Sequence, residues 1–344
     1  MLGWGDELKV FGSIANRLLL REHLKEGDAV FVLARSVGSV VAIVIGIVAF
    51  TSSVTAFAQS SDNFPTSSAA ENVSNGTPER HGDSEMGALI DTNDFSCEPA
   101  PGHPRPVLLL HGTGGNESDW SVLAPTLRRE GYCVFTLNYG NSDFSVIGRL
   151  PNIYGTDDIT LSSKQVAAYV DDILESTGSM QIDIVGHSQG AVVARNFMRF
   201  DGGVDPNSPS NNKVHELVTL GGTNHGTTVD GIGNIIRDYP ELSMPASKVF
   251  SQAALQQIVG SSFMHRLNEA GDTDRGVRYL VIATKFDHVS TPPVNTFLHS
   301  GPDATVKNMF VQDVNPDSKV THKGLSKDPD VIELVKGELN ESDM

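Results

Sequence analysis

From about residue 97 onward the chain alternates short apolar runs with amphipathic stretches. The run 106–110 (Pro-Val-Leu-Leu-Leu) is apolar throughout and ends in His-Gly, as suits a strand buried on both faces. Trp120, Leu123 and Leu127 then recur at helical spacing, with Gly131 where the helix would end. Residues 132–137 read as the next strand. Ser162-Ser163-Lys164-Gln165 has the form of a capping box. It would open a helix with Val166, Tyr169, Val170, Ile173 and Leu174 on its apolar face and Gly178 at its end. Further strands are expected at 182–185, 214–220, 277–284 and 305–311. Alternating strands and helices predict an α/β fold, with a mainly parallel sheet covered by helices on both faces. Ligands of such a sheet bind at the carboxyl ends of its strands.

The first 95 residues follow no such pattern. Residues 37–58 carry no charge, follow Arg35 and end in Ala56-Phe57-Ala58 before the polar Gln59. This is the form of a secretory signal cleaved after Ala58, with an uncleaved membrane anchor as the alternative. Residues 1–34 are mixed in charge where a signal would be short and basic, so translation starting near Val30 or Val32 is a further reading. Residues 59–95 are rich in Ser, Asn, Asp and Gly and hold few large apolar groups. They are expected to be disordered or loosely docked, because they bury too little to offset the entropy of ordering. The expected organisation is an N-terminal extension with signal over 1–58, this polar segment, and a catalytic domain over 96–344.

Composition narrows the partners. The formal charge is −17, and residues 1–58 hold five acids and five bases, so the acidity lies downstream. A surface this negative repels phosphate backbones, which argues against nucleic-acid partners. The two cysteines, Cys97 and Cys133, would most simply pair in an exported protein. No H-x-H or H-E-x-x-H stands in the chain, and two cysteines are too few for a thiolate zinc site. The sequence therefore predicts no metal and no cofactor, although a calcium site built from scattered Asp residues would leave no trace in it.

Candidate chemistry follows the strand at 182–185. Gly186-His187-Ser188-Gln189-Gly190 is the one G-x-S-x-G in the chain, placed between a strand and the helical run 191–200. Such a turn exposes the hydroxyl of Ser188, and Gly186 and Gly190 let strand and helix approach closely. The helix N-terminus directs N–H groups at an oxyanion forming there. His111-Gly112-Thr113-Gly114-Gly115 ends the first strand, where this architecture supplies a second oxyanion donor. The two donors are assigned to the backbone N–H groups of Thr113 and Gln189. His111 itself is expected to pack under the loop. The chain order Ser, acid, His selects Asp287, just past the strand at 277–284, and His322, after the strand at 305–311. Asp313 also follows a strand and is the second choice of acid. His288 adjoins Asp287 too closely in sequence to pair well with it. His225, ahead of the acid, breaks the order and could instead line the pocket or hold structure.

These blocks, together with VTLGGTNHGTT, IATKFDHVSTP and VTHKGLSKDP, resemble the bacterial class 2 secreted lipases of the α/β-hydrolase superfamily over about residues 95–335. The resemblance implies hydrolysis of triacylglycerol or other esters, with Ser188, Asp287 and His322 as triad. Other readings of the same residues are a short-chain carboxylesterase, an acyltransferase or a non-catalytic binding protein. Residues 231–270 are longer than a simple crossover needs and rich in large apolar groups, among them Ile232, Ile258 and Phe263. The loop 141–159 adds Phe144, Val146, Ile147 and Tyr154. Both could form a small cap or acyl tunnel facing a lipid–water interface, or be ordinary core. Oligomeric state is not legible.

Overall fold

The computed structural model describes residues 92–343. The expectations for the signal, the cleavage site and the polar segment up to residue 91 lie outside them. Six strands form one sheet in the order β2-β1-β3-β4-β5-β6, and every neighbouring pair is parallel. They are β1 (Val107–Leu110), β2 (Val134–Leu137), β3 (Ile182–His187), β4 (Val214–Leu220), β5 (Arg278–Ala283) and β6 (Thr305–Phe310). Hydrophobic alternation sorts the sheet into two cores. Leu108, Leu110, Tyr279 and Val281 face one layer with α2 (Ile159–Thr177) and α3 (Gln189–Phe200). Val107, Leu109, Leu280 and Ile282 face the other, with α1 (Leu123–Glu130) and α8 (Pro329–Asp343). Strands buried on both sides can be apolar at every position, which is why β1 is an unbroken run.

Most boundaries move by one to three residues, and one cap was misread. Helix α2 starts at Ile159, where the Asp158 carboxylate accepts the Thr160 N–H at 2.7 Å. The supposed capping box therefore sits inside the helix. Ser163 donates to Asp201 instead, and the Gln165 side chain accepts the Gly140 N–H. Tertiary partners at both residues won over local capping chemistry. Gly131 does end α1, in a left-handed conformation at φ 101°.

Cys97 and Cys133 form a disulfide with Cα atoms 5.9 Å apart. It pins the entry of the domain to the start of β2. Contacts begin a little earlier, since the Asn93 side chain accepts the Thr136 N–H and Phe95 packs on Phe135 and Tyr169. Among the described residues no helix is long and apolar enough to cross a membrane.

Between β4 and β5 lie four short α-helices: α4 (Ile232–Asp238), α5 (Ser243–Val249), α6 (Gln252–Gln256) and α7 (Ser262–Asn268). They divide by burial. Ala253, Phe263, Met264 and Leu267 join the core under α3, so of the two readings the sequence left open for Phe263, cap or core, the core one holds. Ile232, Ile235, Ile236, Leu242, Val249, Phe250 and Leu255 are only half-buried, and Met244 is exposed.

Candidate active site

Strand β3 ends at His187 and α3 begins at Gln189, so one residue makes the whole turn. That residue, Ser188, has φ 54° and ψ −118°, in a region that side-chain-bearing residues rarely occupy and that strains the backbone. The close approach is visible at the two glycines. A Cβ on Gly186 would come within 2.6 Å of the Ala191 nitrogen, and one on Gly190 within 2.2 Å of the Leu110 carbonyl oxygen. Neither position can hold a larger residue without moving α3 off the sheet.

Asp287 and His322 meet at 2.8 Å through Oδ2 and Nδ1. The other carboxylate oxygen accepts the backbone N–H groups of Val289 and Ser290, both at 2.8 Å. Since a carboxylate can only accept, His322 carries a proton on Nδ1, which in the neutral ring leaves Nε2 as a lone pair. Asp313 is elsewhere: it is exposed, accepts the Phe310 N–H and pairs with Lys285. His288 is also exposed and pairs with Asp230. The structure thus brings together the preferred acid and base and neither alternative.

Ser188, Asp287 and His322 are each less than a tenth exposed. Two residues that the sequence reading passed over fix how they assemble. His187, beside Ser188, donates through Nε2 to the His322 carbonyl at 2.9 Å, and the two rings lie 4.8 Å apart. The elbow therefore holds the backbone of the base directly. Burial, then the neighbouring His322, pushes the His187 imidazole down to about 3, so it stays neutral. Gly221, at the end of β4, has φ 57°, and a Cβ there would lie 3.1 Å from His322 Nδ1 and 3.3 Å from Asp287 Oδ2. A glycine following the β4 run was the available sequence signal. Its meaning appears only once β4 is placed between β3 and β5.

The two residues assigned to the oxyanion hole are in contact. Thr113 Oγ1 donates to Gln189 Oε1 at 2.9 Å, and Gln257, next to α6, donates to Thr113 Oγ1 at 2.9 Å. Gln257 in turn accepts from Thr223. A polar chain thus runs from the segment after β4 to the loop after β1 and on to α3. His111 stacks on Tyr139 with centroids 4.4 Å apart, donates from Nδ1 to the Gly112 carbonyl and is pushed down to about 4 by burial. It packs under the loop as a neutral ring. The Val146 N–H donates to the Lys248 carbonyl, joining the loop 141–159 to α5.

The Lipase (class 2) family model matches residues 104–331, two-thirds of the chain. Among solved structures, Aspergillus fumigatus lipase B is similar at 16% identity and a TM-score of 0.52, covering 80% of this chain and 61% of its own. Bacillus licheniformis lipase BlEst2 matches at 14% identity and a TM-score of 0.47, covering 70% of this chain and 94% of its own. The chain therefore spans about three-fifths of the Aspergillus lipase, and at 16% identity that likeness is one of fold. The matched family interval contains the Ser188 turn, the loop after β1 and the Asp287–His322 pair on a six-stranded parallel sheet, and the chain belongs to the class 2 lipase family of α/β-hydrolases.

Proposed function

We propose that the protein is an exported carboxylic ester hydrolase, a triacylglycerol lipase, that acts through an acyl-enzyme on Ser188. The carrying observation is the meeting of a strained Ser188 elbow with a paired Asp287–His322, joined by the His187–His322 hydrogen bond. His322 Nε2 takes the proton of the Ser188 hydroxyl as Oγ bonds to the ester carbonyl carbon. The carbonyl oxygen becomes an oxyanion between the N–H groups of Thr113 and Gln189. As the intermediate collapses, His322 returns the proton to the departing alcohol. Water then repeats the sequence on the acyl-enzyme, and Asp287 holds the tautomer and balances the imidazolium in both halves. Neither half requires a metal.

The half-buried aliphatic groups of α4 and α5, with the loop 141–159, supply an acyl-binding surface. Each methylene buried there adds about 0.8 kcal/mol, which favours medium or long chains over acetate. A series of p-nitrophenyl esters and an emulsified triglyceride test this reading. Activity should climb over several carbons and extend to the emulsion, whereas a profile peaking at acetyl or butyryl with no emulsion activity would make the protein a short-chain esterase. Export is supported by the Ala56-Phe57-Ala58 sequence and by the disulfide. The secreted form should have the intact mass of a chain starting at Gln59.

A further inference from the structure

Away from the proposed catalytic residues, two imidazoles converge on one carboxylate. His225 follows β4, Asp272 follows α7 and His299 precedes β6, so three connections that are distant in sequence meet here. His225 Nε2 lies 2.9 Å from Asp272 Oδ1, and His299 Nδ1 lies 2.7 Å from Asp272 Oδ2. One candidate ligand atom from each residue falls within 4.8 Å of the others.

The other nitrogen of His225 makes this cluster more than an ion pair. Its Nδ1 lies 3.0 Å from the Asn295 carbonyl oxygen, which can only accept, so Nδ1 carries a proton. In the neutral ring Nε2 is then a lone pair, aimed at a carboxylate oxygen that is also an acceptor. Two acceptors at 2.9 Å repel unless the ring takes a second proton or a cation lies between them. An imidazole whose far N–H is anchored on a backbone carbonyl is the arrangement that orients a histidine toward a metal. Asp272 is prepared in the same sense. Its side chain is only a tenth exposed, and Oδ2 also accepts the His299 backbone N–H at 2.8 Å. Its backbone carbonyl is held by Arg195 at 2.8 Å.

We propose that His225, Asp272 and His299 form a binding site for a divalent first-row transition metal, with zinc the ion best matched. Two imidazole nitrogens and one carboxylate oxygen suit zinc and disfavour calcium or magnesium, which prefer oxygen donors throughout. Bonds of about 2.0–2.1 Å in a tetrahedron set ligand atoms about 3.3 Å apart. The two histidine–carboxylate contacts would open by a few tenths of an ångström, and the ligand atoms, all within 4.8 Å of one another, would draw together around the ion. Three protein ligands leave a fourth position for water, on the side where the His299 side chain is 90% exposed. The sequence held no metal motif because the ligands stand 47 and 27 residues apart. A bound ion would cross-link the segments after β4 and α7 to the chain leading into β6.

The test is calorimetric titration of the chelator-treated full chain with Zn2+ alone, paired with the unfolding temperature at saturating Zn2+. The wild type should show a site of one Zn2+ per chain and unfold a few degrees higher with the ion. His299→Ala, a change at an exposed side chain that the fold tolerates, should weaken that site more than tenfold and abolish the rise. Asp272→Asn should do the same, and His288→Ala, at the exposed pair with Asp230, should leave both readouts intact. Failure of the wild type to bind, or equal binding by wild type and His299→Ala, would overturn the proposal and leave a solvated His–Asp–His hydrogen-bond cluster.

Discussion

At the residue scale, the proposed chemistry depends on which carboxylate holds His322. Asp287 accepts three hydrogen bonds, one of them from His322 Nδ1, whereas Asp313 is exposed and caps a short helix. Asp287→Asn should therefore cut kcat by about 10⁴ by disfavouring the working tautomer, and Asp313→Asn should stay within about twofold. Steady-state kinetics on one ester separates the two, and a damaging Asp313→Asn with a mild Asp287→Asn would reverse the assignment. The turn at Ser188 and the pairing of Asp287 with His322 were legible because a serine in a glycine-flanked turn and the chain order of the three residues are linear features. His187, Gly221 and Gln257 were not, because each acts across the fold. The His187 ring reaches residue 322, Gly221 makes room for a pair contributed by two other loops, and Gln257 contacts a threonine 144 positions away.

At the element scale, period and punctuation foretold the sheet, because strands buried on both faces are nearly continuous apolar runs bounded by turn residues. What failed was the start of α2, where a serine-rich capping pattern turned out to serve tertiary partners while Asp158 formed the cap. Equally hidden was the division of the insert between β4 and β5, since apolar content alone cannot say which face meets the core. Phe263 packs into the core with Phe197 and Tyr279, and Phe250 stays half-buried. Phe263→Ala should accordingly cost about 3–5 kcal/mol of stability, with the acyl-chain optimum unchanged in whatever remains folded. Phe250→Ala should cost far less and shift the optimum toward shorter chains. Denaturant midpoints and an ester-length profile on both variants check the division. A shift of the optimum by Phe263→Ala with unaltered stability would refute it.

At the scale of the whole molecule, one parallel sheet carries the Ser188 turn, the loop after β1 and the Asp287–His322 pair at its carboxyl edge, and a disulfide fixes the entry of the chain. In the chain-entropy model that closure contributes about 4 kcal/mol, so reduction should lower the unfolding temperature without removing the active-site geometry. Stability should also depend on pH through two buried rings. Burial holds His187 down to about 3 and His111 to about 4, while an unfolded histidine titrates near about 6.5. Between those values the unfolded chain binds more protons. The stabilisation from the neutral rings is thus complete above about pH 6.5 and falls as pH drops, by up to about 1.4 kcal/mol per unit for each ring. His187→Gln, which keeps a donor for the His322 carbonyl, should flatten the slope of urea midpoint against pH below 6.5; an unchanged slope would assign the acid sensitivity to other groups. The most direct test of the account is covalent. Incubation with a fluorophosphonate should add one adduct per chain, located by peptide mass on Ser188, and Ser188→Ala should take up none while unfolding at nearly the wild-type temperature. Retained labelling in a folded Ser188→Ala protein, or an adduct on another serine of the wild type, would contradict the elbow as the seat of the chemistry.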